Sequence, residues 1–478
     1  MTPSPFTLVV LVAGIFATGT SCIYWQLIFC LFGAASAIQL TALGNSTITP
    51  APLFLPFLLL RAWLENHGQG YLLRVPRAGV WLGLAVLFGA LTAMFVPRAM
   101  EGDLQILTVD MSSGSSLARL YPLHPVSGNL TQSGYAVGDL LAFLAFRALL
   151  SRPGRIEHFR DAVLLLATLN IAAAILNLAE FHLGFPPVLQ YVRNAYALFN
   201  AYRDAGGLMR IHGTFSETSA FCAFSLPLFA FSFRLWMMRI RPLYTGSIAA
   251  LLLTFLLLST STTAYVGLVI YTALLTFSLT HHAYLRGVVP RLGLLVVGAL
   301  LAGVLVSSLF VLETSIGERL LDYFDVTVIN KLQSSSGRER TLWNLHAWRN
   351  FVDTFGLGVG LGTARASTLP LVLLSNLGLL GTLCFCAFIG DVFKGPHRTA
   401  PSNPTRDAAR QALLASLAAG VVSATVFELG IAFYAFAAVS SVRQPLAQAS
   451  RMIVVARPSN DASPDAQNTG EYRYPRRV

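Results

Sequence analysis

Twelve stretches of this chain are apolar for long enough, or nearly so, to cross about 30 Å of hydrocarbon: residues 5–19, 23–43, 78–96, 132–150, 161–180, 214–233, 244–259, 263–280, 292–311, 369–389, 408–425 and 429–442. A bilayer core holds no water to satisfy backbone N–H and C=O groups, so each stretch is held to a helix that bonds to itself. Composition agrees: 55% of residues are hydrophobic and only 12% charged, against roughly 25% charged in soluble domains. The expected fold is an all-α polytopic membrane protein of about 12 transmembrane helices. Residues 1–445 would form one transmembrane domain and 446–478 a polar, disordered cytoplasmic tail. The run "APLFLPFLLL" at 51–60 is short and interrupted by prolines; it reads as interfacial or re-entrant, with a thirteenth crossing as the alternative.

Orientation follows from the basic residues, because loops rich in Lys and Arg stay on the cytoplasmic side. Loops 61–77, 147–160, 234–241, 286–291 and 394–410, with the tail from Arg443, hold 22 of the 33 basic residues and are expected inside. Segments 97–131, 181–213 and 312–368 are then outside, and twelve crossings put both termini inside. The first stretch lacks a basic flank and a small-residue cleavage site, so it reads as a span and not as a removed signal.

Two outer clusters stand out. "RIHGTFSETSAF" places Arg210, His212, Ser216 and Glu217 at the start of an apolar helix, where unpaired N–H groups and a partial positive charge attract anions. Helix capping by Thr214, Ser216 or Glu217, with a snorkelling Arg210, is the plainer alternative. In the largest outer loop, Leu342, Leu345, Trp348, Val352 and Phe355 recur at helical spacing, predicting an amphipathic helix on the membrane surface that carries Arg338, Arg340 and Arg349. "GLGVGLG" lacks the strand–turn–helix setting of a dinucleotide site and reads as a flexible turn bringing Arg365 to the membrane. Arginines converging at a water–lipid boundary suit a membrane-bound pyrophosphate, and Arg210, Arg338 and Arg365 are the candidates expected to meet. Asp139 lies inside a span and reads as a functional hint or a polar contact between helices, and Glu428 as a capping residue.

Over roughly residues 160–390, the order "RIHGTFSE", "LLLSTSTTAYVGL", "SGRERTLW", "GLGVGLGTARAST" and "SNLGLLGTL" resembles the O-antigen ligase and polymerase superfamily, closest to bacterial exopolysaccharide repeat-unit polymerases. Members of the ligase branch carry a histidine before a GxxG; here Ser367 and Thr368 stand in that neighbourhood, and "STSTT" replaces a Ser-Arg pair. Both departures favour a polymerase.

The resemblance implies undecaprenyl-pyrophosphate-linked oligosaccharides as substrates in an inner membrane, with the active site on the periplasmic side. A growing chain would pass to a sugar hydroxyl of a new repeat. It also implies chain-length regulator and export proteins as partners, and no nucleic acid. Arg210, Arg338 and Arg365 would neutralise the leaving pyrophosphate without metal or cofactor. Glu217 is the first candidate for the general base, followed by His212, His346 and Glu428. His212, Ser216, Arg340, Ser367 and Thr368 would bind substrate. Glycan transfer of the ligase type, and a transporter or flippase of the same lipid-linked sugars, stay open as alternatives.

Overall fold

The computed structural model describes residues 2–40, 46–66, 75–109, 118–195, 210–286, 335–395 and 403–442. The expected span 292–311, the first part of the outer loop (312–334) and the tail 446–478 lie outside the described residues. Helices α1 (Pro5–Phe16), α2 (Gly19–Phe29), α3 (Pro50–Glu65), α4 (Arg77–Ala99), α5 (Ser127–Leu150), α6 (Arg155–His182) and α7 (Thr218–Met237) make up the first half. They are followed by α8 (Pro242–Leu258), α9 (Thr262–Arg286), α10 (Ser335–Asp353), α11 (Leu369–Lys394), α12 (Pro404–Ser423) and α13 (Ile431–Ser441). Three short strands, β1 (Thr2–Pro3), β2 (Ile38–Leu40) and β3 (Ser46–Ile48), pair antiparallel in that order, and β4 (Gln105–Val109) pairs with β5 (Ala118–Pro122).

Five of these helices, α4, α5, α6, α7 and α11, are long and apolar enough to cross a bilayer, and the protein is an α-helical membrane protein. On α4, Leu84, Leu87, Leu91 and Phe95 recur at three- and four-residue spacing and are exposed, as a lipid-facing stripe requires. Apolar lipid removes the hydrophobic drive between helices, so close packing and interhelical hydrogen bonds must hold the bundle. Small residues permit that approach. In α12, Ala408, Ala412, Ala415 and Ala419 are buried, and Gly267 of α9 sits so close that a Cβ there would meet the Leu226 side chain of α7 at 2.9 Å. Inside the bundle, Asn170 Nδ2 of α6 donates to Ser225 Oγ of α7 at 2.8 Å.

Ion pairs gather one end of the bundle. Arg155 of α6 reaches Glu65 of α3 at 3.0 Å, and Arg77 of α4 reaches Asp391 of α11 at 3.2 Å. At the same end Arg241 beside α8 meets Asp161 of α6 at 3.1 Å, and Arg234 of α7 approaches Asp407 of α12 at 3.9 Å. These are the arginine-rich loops grouped together by charge in the sequence. The opposite end joins residues 31–36 to Asn194 and Thr214.

Two expectations about topology are corrected. The stretch 23–43 is not one helix: α2 ends at Phe29, and the chain then turns into β2. The backbone there finds partners elsewhere. Ser36 N–H donates to Asn194 Oδ1 at 2.7 Å, Ala34 N–H to Thr214 O at 3.1 Å, and Leu31 O accepts from Thr214 Oγ1 at 2.5 Å. Non-helical backbone in a membrane protein is tolerated where protein groups satisfy it. The second correction concerns 51–60, which belongs to a continuous 16-residue helix, α3; Pro50 and Pro52 occupy its first turn, where their missing N–H costs nothing, and Pro56 is carried inside. Ser4 N–H donates to Ala37 O at 2.9 Å, while Arg61 donates to Ile15 O at 3.3 Å, so α1 starts at the end opposite the arginine-rich loops. The start of α1 therefore lies at the same end of the bundle as Thr214.

Candidate functional site

The turn 210–217 is built before α7 begins. Asn177, 1% exposed on α6, accepts from the N–H groups of both His212 and Gly213 through Oδ1, at 3.0 and 3.1 Å. From the other side, Arg193 Nε donates to Gly213 O at 2.6 Å while its Nη1 lies 3.8 Å from Glu180. His212 is buried, and its Nδ1 lies 3.3 Å from Phe215 O, which sets Nδ1 as the protonated nitrogen. Burial, then the charge of Arg193, pushes its pKa down to about 4. That makes His212 a neutral part of the turn, with little basicity to offer an acceptor hydroxyl.

Glu217 is the residue on which the turn ends. Its backbone is extended (φ −154°, ψ 162°), it precedes the first residue of α7, and its side chain does not cap the helix. It is half-buried, and Ser219 Oγ donates to its carboxylate. Ser216 beside it is half-buried. Arg210 is half-buried too; its Nε is shielded from solvent and makes no hydrogen bond among the described residues.

The second half of the site comes from 354–368. Expected as a flexible turn, this segment is instead wedged among three helices. A Cβ on Gly360 (φ +88°) would meet Ala93 Cα of α4 at 2.5 Å, and one on Gly362 (φ +79°) would meet Gly128 O of α5 at 2.1 Å. Only glycine combines that backbone with that closeness. Hydrogen bonds fix the same fold: Asn129 Nδ2 donates to Leu361 O and Thr363 Oγ1, Asn376 Nδ2 to Ala364 O, and Val359 N–H to Ser375 O. The α11 helix is broken at Gly378 (φ 62°, ψ −173°), where Leu379 N–H turns to Gly356 O at 2.8 Å.

This wedge aims Arg365. Its guanidinium carbon lies 5.5 Å from the Trp343 ring centroid of α10, a cation–π stack. Burial pushes the Arg365 pKa below its usual range, while the charges of Glu217 and Glu339 pull it back up. Glu217 and Arg365, 148 positions apart in sequence, are thus within electrostatic reach. Ser367 N–H donates to Asn344 Oδ1 at 2.8 Å, tying the loop to α10, and Ser367 itself is buried. Thr368 is half-buried and immediately precedes α11.

Arg338 does not join this point. It is exposed on α10 and makes no ion pair or hydrogen bond among the described residues; Arg340 is half-exposed one turn from Trp343. The reason is the orientation of α10. Ala347, Asn350 and, just beyond the helix, Thr354 are buried, whereas Leu342, Leu345, Trp348 and Val352 are exposed. Small and polar residues face the protein and apolar residues face outward, as in a helix lying against lipid. His346, the remaining histidine candidate, has its pKa lowered by partial burial and by Arg349.

Sequence reasoning missed Asn177, Arg193, Trp343, Asn344 and Asn376, which hold the candidates in place. A signal existed for Asn177: with Asn170 it is a polar residue in an otherwise apolar span, seven positions away and on the same helix face. A scan against protein-family models and a search of curated proteins find no match to this chain.

Proposed function

We propose that this protein polymerises oligosaccharide repeat units carried on undecaprenyl pyrophosphate, for exopolysaccharide or O-antigen, on the periplasmic side of a bacterial inner membrane. One observation carries the reading. A carboxylate at a helix start, Glu217, lies within electrostatic reach of a half-buried guanidinium stacked on Trp343, Arg365, beside a helix that turns its apolar face outward.

In this reading the acceptor sugar hydroxyl attacks the anomeric carbon of the growing chain. The new glycosidic C–O bond forms as the bond to the pyrophosphate oxygen breaks. The hydroxyl proton passes to Glu217, and the electron pair stays on the leaving pyrophosphate. Arg365 neutralises that charge; its partial burial makes the interaction stronger than at an open surface, and its stacking on Trp343 fixes the fork in advance. Arg210 supplies a second donor at the start of α7, and Arg338 and Arg340 attract the substrate from α10. The exposed Leu342, Leu345 and Trp348 face the polyprenyl tail. His212 and Ser367 shape the site through the turn and loop they belong to.

The test is the lipid-linked oligosaccharide pool of a strain lacking the protein. Single repeats accumulating on the lipid carrier support polymerisation; full-length lipid-linked polymer supports glycan transfer of the ligase type; an unchanged pool with no polymer outside the cell points to a transporter.

A further inference from the structure

A second site lies between α3, α5 and α13. It is a cavity of about 410 Å³ whose walls are largely apolar, with Ile48, Leu53, Leu55, Leu130 and Ile431 among them. Two carboxylates line it, Asp139 from α5 and Glu428 from the α12–α13 connection, and among the lining residues there is no arginine or lysine. Asp139 is 2% exposed, and its Oδ2 makes no hydrogen bond among the described residues. The buried Tyr434 hydroxyl stands near that carboxyl without a bond of normal geometry. Tyr135 spends its hydroxyl on Thr47 O at 2.8 Å, so it does not serve the acids.

A buried carboxylate such as Asp139 is costly among aliphatic walls without a charged partner, and the half-buried Glu428 in the same cavity adds a second acid. Such a floor disfavours an anion as the direct partner of the two acids, which separates the cavity from the site at Glu217 and Arg365. It complements a cation that brings several N–H donors, and the walls complement hydrocarbon. We propose that the cavity binds a membrane lipid whose headgroup ends in a primary ammonium, with the ammonium on Asp139 and Glu428 and part of an acyl chain along Leu53, Leu55 and Leu130. The arrangement stands whether or not the protein is a polymerase, because none of these residues belongs to the other site.

The experiment uses the purified full chain in detergent, equilibrated with equimolar ethanolamine-headed, choline-headed and glycerol-headed phospholipids of identical acyl chains, with bound lipid read by native mass spectrometry. Ethanolamine lipid is expected to be retained at least tenfold over the choline lipid, which has the charge but no N–H donors, and over the anionic glycerol lipid. Glu428→Gln, and Leu53→Trp, which fills the cavity and keeps both acids, are each expected to remove that preference, with melting temperature as the check on folding. Asp139→Asn should do the same if it folds. Equal retention of the three lipids by the wild-type chain overturns the proposal without any variant. Displacement of the ethanolamine lipid by sodium ions alone at millimolar concentration also overturns it, by assigning the acids to a bare cation.

Discussion

Replacing Asn177 by alanine tests the element on which the candidate site depends. The Asn177 amide oxygen accepts from two consecutive buried N–H groups, those of His212 and Gly213. Both are left without a partner in the variant, and each buried orphan costs about 1–3 kcal/mol. The turn should therefore be about 2–6 kcal/mol easier to open, a rise in the open population of at least roughly thirtyfold. Hydrogen exchange with mass spectrometry on peptides covering 210–217 reads this directly. The amides of 212 and 213 should lose protection while those of α6, one helix turn before Asn177, keep theirs. A second readout is the thermal melt, which should fall less than local opening predicts if the turn opens without the bundle. Unchanged exchange at 212 and 213 would refute the reasoning: those N–H groups would then be satisfied by water, and Asn177 would not be the clamp.

The remaining expectations concern charge, space and pH. Arg365→Lys keeps the charge but loses the planar fork and much of the stack on Trp343, so polymer output should drop by on the order of 10²-fold, whereas Arg338→Lys, on an exposed side chain, should stay within about twofold; equal effects would return the two arginines to one common role. Gly360→Ala should lower stability by at least about 2 kcal/mol and shift the melt, because φ +88° and the Ala93 backbone both oppose a Cβ, while Gly390→Ala, with open space around it, should not destabilise. The folded-state pKa of His212, near 4, is below its ordinary 6.5, so the unfolded chain binds more protons between those values. Stability from this residue is complete above about pH 6.5 and is lost as pH falls toward 4, by up to about 3 kcal/mol; His212→Gln should flatten that slope in melts recorded from pH 7 to 4.

The sequence alone determined what hydropathy and helical period can determine. The long, mainly apolar runs behind α4, α5, α6, α7 and α11 are helices because a bilayer leaves the backbone no other partner, and the spacing from Leu342 to Val352 marked α10 correctly as amphipathic. Hydropathy is a local quantity, however, and says nothing about partners far along the chain. The end of α2 at Phe29 was settled by Asn194 and Thr214, 158 and 183 positions from the groups they satisfy. The glycines of 356–362 read as freedom until the helices α4, α5 and α11 closed around them. Arg338 and Arg365 carry the same charge in the same loop, and only the face that α10 turns toward the protein sends one to solvent and the other onto Trp343, within reach of Glu217. Asp139 and Glu428, read as an interhelical contact and a cap, share one cavity because α5 packs against α13, a decision made by side-chain fit between elements that no single stretch of sequence contains.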